Sequence, residues 1–468
     1  MATSEQDHFV LLVRDGVRGR GGRGTPGRRL TEVLRDLIGA DALSAGARLP
    51  SERELAKAVD MSRGTVAGVY RTLCAQGWCE RRHGSGTYVR EPVDAADGVR
   101  RIERLMRRDA GLIDLSKSVV PDASHLPVPA LDVAELLRTP SGHGYDALGD
   151  SRLLAQLRRR TDADPLVTAG AQQGIALAAR CVVRAGDVVL VDEAAYPGAL
   201  AVFRRRGAQV VTVADDGGGM APEAFREAVV RHRPACAYVL PVHNPTGRVV
   251  EPDRMAAIAV TAREHEVSLI EDRTLAEITF GSTAAPPCTT AHPDGTIVVD
   301  SLSKVLWGGL RIGWVTAAEP LLARLVELKH EADLATSVVG QRMAAAVLER
   351  ADVDQWRQEL ARRRDRFTAA LGERLPTWTW DVPDGGLSLW ARLPRTDTDA
   401  FAEAARGHGV AVAPGSVFSP DGRQRDRLRL SFAPGDELLD EAVAALSRAW
   451  SGRQSAPAAR PGGMDLTV

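Results

Sequence analysis

No apolar run in this 468-residue chain approaches the roughly 18 to 20 residues needed to cross a bilayer, and its first residues lack the apolar core of a signal peptide. A membrane span and secretion are therefore not expected, and a cytoplasmic location is. Cysteine is scarce. There are five, an odd number without metal-type spacing, and Cys74 and Cys79 stand five apart at an expected helix end and strand. That pattern argues against a disulfide framework or a zinc module and leaves buried free thiols, so no metal is expected. Net charge is nearly absent too, at −1, but it is unevenly laid out. Residues 1–90 carry 15 Lys and Arg against 10 Asp and Glu, a charge of +5, which leaves −6 for the rest. A basic small segment ahead of an acidic large one suggests a nucleic-acid-binding head on a different kind of body. Length and 44% hydrophobic residues are what the chain does have, enough for two or three domains around a large core.

Residues 1–28 contain Arg18-Gly19-Arg20-Gly21-Gly22-Arg23-Gly24, a tract that cannot bury a core, and are expected to form a disordered tail. From Arg29 the pattern changes, with Leu30, Val33, Leu34, Leu37 and Ile38 at helical spacing. Ser51 and Glu54 then read as a capping box that starts a second helix, and Ser62 caps a third that stops at Gly77. Two helices joined by a tight turn make a helix-turn-helix. Trp78–Arg82 and Thr87–Arg90 flank a turn at His83-Gly84-Ser85-Gly86 and read as a hairpin. Its glycines let the backbone approach a sugar-phosphate groove, with Arg81, Arg82 and His83 alongside. Residues 29–90 thus form one domain, and the polar stretch 91–112 reads as a linker.

Beyond the linker, strands and helices alternate. Val188–Val191, Gln209–Val213, Cys236–Leu240, Ser268–Ile270 and Thr296–Val299 read as strands of a mainly parallel sheet with helices on both faces. A smaller α+β lobe is expected from about residue 335, and residues 451–468 as a flexible tail. Lys304, in Ser301-Leu302-Ser303-Lys304, falls in a loop leaving the sheet, where open α/β sheets place ligands. A desolvated lysine near another cation can form a Schiff base, and Ser301, Ser303 and Arg311 can hold a phosphate. A ligand bearing both an aldehyde and a phosphate is pyridoxal 5′-phosphate. The loops around it offer what that ligand needs. Ala171 and Gln172 present amides at a helix N-terminus, and Tyr196 offers a ring to stack on the pyridine. Asn244 offers an amide to the phenolic oxygen, and Asp272 a carboxylate to the ring nitrogen.

The segments Arg48–Ala56, Ser62–Val66 and Arg82–Val89 resemble, in order and spacing, the winged helix-turn-helix of GntR-type transcriptional regulators. The resemblance implies that Arg48, Arg53, Ser62, Arg63, Thr65 and Arg71 face DNA, with the Gly84–Gly86 wing tip in the minor groove beside Arg82 and His83. From Asp114 to Trp450 the chain resembles a fold type I aminotransferase. That resemblance implies an α/β fold whose large lobe has a mainly parallel sheet, with domain bounds of 113–450. It makes Lys304 the Schiff-base lysine, Tyr145 the tyrosine that reaches the neighbouring subunit's phosphate, and Arg429 the arginine that grips a substrate carboxylate.

Such a head on such a body is the arrangement of MocR-type regulators. The implied function is a DNA-binding transcriptional regulator that senses pyridoxal phosphate or an amino compound. Its implied partners are a double-stranded operator, an amino-acid or amine effector, and a second copy in a homodimer. The alternative is a working aminotransferase with an auxiliary DNA-binding module. Two positions depart from the pattern. Glu271-Asp272-Arg273-Thr274 has threonine where the family has a tyrosine that helps hold the phenolic oxygen. Asn244 is the aminotransferase version of a position that varies among MocR-type chains.

Overall fold

The computed structural model describes residues 2–19, 26–39, 47–75, 78–82, 85–89, 111–127 and 143–454, apart from 162, 282 and 395, with positions 132, 134 and 137 besides. Two compact units comprise residues 1–99 and 100–468. Residues 90–110, most of the expected linker, lie outside the described residues.

Among its described residues the first unit holds the helices α1 (Ala2–Gly19), α2 (Pro26–Gly39), α3 (Glu52–Ala58) and α4 (Arg63–Ala75), and an antiparallel hairpin of β1 (Cys79–Arg82) and β2 (Gly86–Val89). The capping box is formed as expected: Glu54 N–H donates to Ser51 Oγ at 3.2 Å, and Ser51 N–H donates to Glu54 Oε2 at 2.9 Å. Ser62 Oγ accepts from Thr65 N–H at 3.0 Å and starts α4. The disordered tail expected over 1–28 is corrected, because residues 2–19 are helical and 26–28 open α2. Phe9 and Val13, one helical turn apart, are wholly buried among Leu30, Val33, Leu34 and Tyr70. Burying each such side chain contributes about 1.5–3 kcal/mol, so these contacts anchor a segment whose Arg/Gly tract begins only at its end. Of that tract, Arg18 and Gly19 fall in the helix and residues 20–24 lie outside the described residues.

The second unit is built on a seven-stranded sheet in the order β4-β10-β9-β8-β7-β5-β6. Its strands are β4 (Leu166–Thr168), β5 (Val188–Asp192), β6 (Gln209–Val213), β7 (Cys236–Val239), β8 (Ser268–Asp272), β9 (Thr296–Ser301) and β10 (Gly313–Thr316). Strands β5 to β9 are parallel, as the alternating pattern predicts, whereas β10 runs antiparallel to both of its neighbours. Of the parallel strands, β5, β7, β8 and β9 are almost entirely buried and the edge strand β6 partly so, with helices covering both faces and two large apolar clusters between the layers. The C-terminal ends of β5, β7, β8 and β9 therefore point their loops toward one edge of the sheet, the place where such sheets bind ligands.

The chain enters this unit through the short strand β3 (Ile113–Asp114), which pairs with β12 (Val410–Ala411) of the small lobe. That lobe has a three-stranded sheet, β11 (Ser388–Arg392), β14 (Arg427–Ser431) and β13 (Ala413–Pro414), with helices Val353–Arg374, Thr398–Gly407 and Asp436–Gln454. The last helix carries residues 451–454, which corrects the start of the expected tail; residues 455–468 lie outside the described residues. All five cysteines are free, and among the described residues no helix is long and apolar enough to cross a membrane.

Candidate functional site

Lys304 sits in a single π-helical turn, Ser303–Trp307, directly after β9. Such turns recur at functional sites because they re-aim a side chain. The Lys304 ammonium donates to the carbonyl of Ser118, and its own carbonyl accepts from Trp356 Nε1 at 3.4 Å. Burial, and after it the positive charge of Arg429, pulls the Lys304 ammonium down to about 8 against the opposing charge of Asp272. A lysine tuned this way is a nucleophile near neutral pH.

Asp272 ends β8 and is buried. Its Oδ2 accepts from the Tyr238 hydroxyl at 2.5 Å, and its Oδ1 accepts from Thr274 Oγ1 at 2.7 Å and Thr274 N–H at 3.0 Å. Thr274 is therefore committed to the carboxylate, and the hydroxyl that departs from the family pattern orients Asp272. Tyr196 stands at the N-cap position of the helix Pro197–Arg205, its phenol pushed up to about 12 by burial and by the charge of Asp272.

Arg429, on β14, is 5% exposed and has no carboxylate within ion-pair distance among the described residues. It donates to Ser116 O at 2.5 Å and to Asn244 Oδ1 at 3.1 Å, its Nε has no partner, and it lies 4.4 Å over the Phe418 ring. Burial lowers it to about 10. A buried guanidinium held only by neutral acceptors is a costly arrangement that a carboxylate ligand would relieve. Because the Asn244 oxygen faces Arg429, the amide nitrogen is left to donate elsewhere.

The candidate anion cradle lies where β4 runs into helix Ala171–Val182. Gly170, at φ 84°, takes a turn that a side chain would strain, and a Cβ there would meet the Arg311 guanidinium at 2.9 Å. The first amides, Ala171 and Gln172, have no acceptor within the helix and are free to bind an anion. Arg311 Nη2 donates to Ala169 O at 2.7 Å, which holds the guanidinium beside this N-terminus. Gly313 lets β10 pass underneath, since a Cβ there would lie 2.7 Å from Gly170 C. Ser301 Oγ is buried, donates to Ile312 O at 3.0 Å and lies 2.7 Å from Ser303 Oγ, so it supports Ser303. Tyr145 stands apart, 61% exposed and stacked on His143.

Residues the sequence did not single out also build this site. His243 bridges two of its loops, with Nε2 2.9 Å from Ala194 O and Nδ1 2.9 Å from Thr246 Oγ1. Tyr238 had a signal, as the one residue with a polar tip in a buried strand, where its hydroxyl needs a partner. Ser116 and Ser118 had none, because they act through backbone carbonyls more than 180 positions from Lys304 and Arg429.

In the first unit, Tyr70 donates to Pro50 O at 2.7 Å and ties α4 to the start of α3. Arg48 bridges to Tyr88 of β2, which joins the loop before α3 to the hairpin. A cleft of about 500 Å³ opens between these elements, lined by Arg48, Arg53, Arg63, Arg81 and Gly86. Ser62 and Thr65 share a hydroxyl contact of 2.9 Å at the N-terminus of α4, and Arg71 is exposed further along that helix. Of the expected wing residues, His83 and Gly84 lie outside the described residues, while Arg82 pairs with Gly86 in the hairpin.

Comparison with known proteins agrees with this division. Residues 110–446 match the model of aminotransferase class I and II, and residues 26–89 that of the bacterial regulatory proteins of the gntR family. The chain is 26% identical to YdfD of Bacillus subtilis, an uncharacterized HTH-type transcriptional regulator, covering 88% of this chain and 93% of the relative. It is 28% identical to the HTH-type transcriptional regulator TauR of Rhodobacter capsulatus, covering 92% and 97%. A 2-aminoadipate transaminase of Thermus thermophilus is 30% identical over 61% of this chain and 75% of the relative. Among solved structures, the alpha-aminoadipate aminotransferase LysN of Thermus thermophilus, complexed with N-(5′-phosphopyridoxyl)-L-leucine, superposes with a TM-score of 0.67 at 27% identity. It covers 76% of this chain and 96% of that one.

Proposed function

The chain belongs to the class I and II aminotransferase family and carries a gntR-type DNA-binding domain ahead of it, and on that premise we propose that it is a transcriptional regulator that binds pyridoxal phosphate and responds to an amino compound. One observation carries the reading: a buried arginine that no carboxylate pairs among the described residues lies close enough to Lys304 for its charge to help lower the amine, and Arg311 flanks a helix N-terminus. The donors fit the cofactor. Ala171, Gln172, Ser303 and Arg311 suit its phosphate, with Ser301 supporting Ser303. The Asn244 amide nitrogen suits its phenolic oxygen, Asp272 its ring nitrogen, and Tyr196 its ring face.

When bound, pyridoxal phosphate supplies an aldehyde that amines attack and a ring that draws electrons from the attached carbon. Lys304 provides the attacking amine, and its lowered pKa keeps an uncharged fraction available. Tyr238 and Thr274 hold Asp272 in one orientation, so its charge stays aimed at the ring. Arg429 takes the carboxylate of an amino acid as a bidentate fork, exchanging the carbonyl of Ser116 for an anion. Tyr145 serves the neighbouring subunit of a homodimer, which pairs two heads for repeated half-sites on cytoplasmic DNA. Arg48, Arg53 and Arg71 meet phosphates, and Arg63 with Ser62 and Thr65 at the start of α4 meets base edges.

The intact Lys304, Asp272, Asn244 and Arg429 set also favours a second reading, a working aminotransferase. Titrating the full chain with amino acids, while following both cofactor absorbance and duplex binding, separates the two. A regulator changes its duplex affinity; a transaminase releases keto acid and leaves duplex affinity where it was.

A further inference from the structure

Glu52 is the one acidic residue among the described residues that line the cleft of the head. It opens α3 and lies in the cleft lined by Arg48, Arg53, Arg63 and Arg81. Its two oxygens reach two different elements. Oε2 is 3.5 Å from Arg63 Nε, at the start of α4, and Oε1 accepts from Arg81 Nη2, on β1, at 2.7 Å. The Glu52 side chain is 23% exposed, whereas Arg63 is 75% and Arg81 51% exposed. Ion pairs this open contribute little to stability, so the fold does not explain them. Their effect falls on whatever enters the cleft. A phosphate approaching the arginines meets the Glu52 carboxylate as well, and like charges repel.

We propose that Glu52 is a specificity-determining residue of the DNA face, which rests on the DNA-binding reading above. It holds Arg63 and Arg81 away from indiscriminate phosphate contacts and presents the Arg63 fork to base edges. A guanine edge accepts that fork through two hydrogen bonds, which compensates for the loosened ion pair; a lone phosphate, repelled by Glu52, does so less well. The carboxylate thus weakens binding to all duplexes and weakens it least where the right base is present.

The test compares the full-length parent with Glu52→Gln, which keeps the shape and removes the charge. Duplexes selected by the parent from a random-sequence library are titrated beside unselected duplexes over a range of salt. The variant should bind unselected duplexes about tenfold tighter, with a salt slope steeper by about one, and should select a flatter consensus. Selected duplexes should gain much less. In an Arg63→Ala background, Glu52→Gln should flatten the consensus no further. An unchanged consensus with unchanged or weaker binding to unselected duplexes overturns the proposal, as does full flattening in the Arg63→Ala background. A parent that retains no duplex at all refutes the DNA-binding reading itself and takes the proposal with it. Matching thermal unfolding of parent and variant shows that the readout is recognition and not loss of fold.

Discussion

Arg63 of the head leaves 75% of its side chain in solvent, whereas Arg429 of the body is 5% exposed, and both are proposed to meet an anion. The head presents its arginines on an open cleft to a polyanion too large to be enclosed. Its attraction is screened, so it answers to salt. The body hides one arginine and one lysine among neutral acceptors, where each charge is costly and a small ligand can be enclosed. Its binding answers to the chemistry and protonation of that ligand. Burial decides which variable each site obeys.

The largest expected break in this contrast is Lys304→Ala. The variant should lose the covalent attachment of pyridoxal phosphate and its visible absorbance band while keeping the parent's duplex affinity in the absence of amino acid. A band that survives dialysis against an amine would contradict the assignment. Arg429→Ala comes next. Removing one side of a buried charge pair costs about 3–5 kcal/mol, so affinity for amino acids should fall by about two to four orders of magnitude while amines lacking a carboxylate bind as before. Spectral titration with a matched amino acid and amine reads the difference, and equal losses for both would contradict the role.

The rate of pyridoxal phosphate attachment should rise with pH and level off above about 8. The sign follows from the lowered lysine: below that pH the ammonium dominates and cannot attack, and the rate falls about tenfold per unit. Stopped-flow absorbance checks it, and a flat profile from pH 6 to 8 would contradict a buried, lowered amine. The smallest effects belong to the exposed face. Arg63→Ala should cost about 1–3 kcal/mol at one base position and relax preference there, and Arg48→Ala should lower the salt slope by about one without changing preference. Neither change should alter amino-acid binding.

Much of this was legible in sequence where a signal was local. The Ser51–Glu54 box, the cap at Ser62 and the apolar strands from Val188 to Val299 each carry their information within a few residues, and all formed as expected. The loops after β5, β7, β8 and β9 follow from the parallel pattern, which is why Tyr196, Asn244, Asp272 and Lys304 could be named. What was missed depends on distant pairing. The hydroxyl of Tyr238 reaches Asp272 because β7 lies beside β8, and Ser118 meets Lys304 across 186 positions. Helix α1 was hidden because its Arg/Gly end dominates the composition, while Phe9 and Val13 reveal themselves only against α2. The direction of β10 was not written in its residues, since an apolar run does not tell parallel from antiparallel.

The most direct test of the account is the affinity of the cofactor-loaded full chain for its selected duplex, measured with and without a saturating amino acid. A regulator whose two units are coupled should change that affinity by about 5- to 150-fold, the range of 1–3 kcal/mol of coupling. Lys304→Ala should show no change. A parent whose duplex affinity stays constant while it converts the amino acid to its keto acid would contradict the account and establish an enzyme that happens to bind DNA.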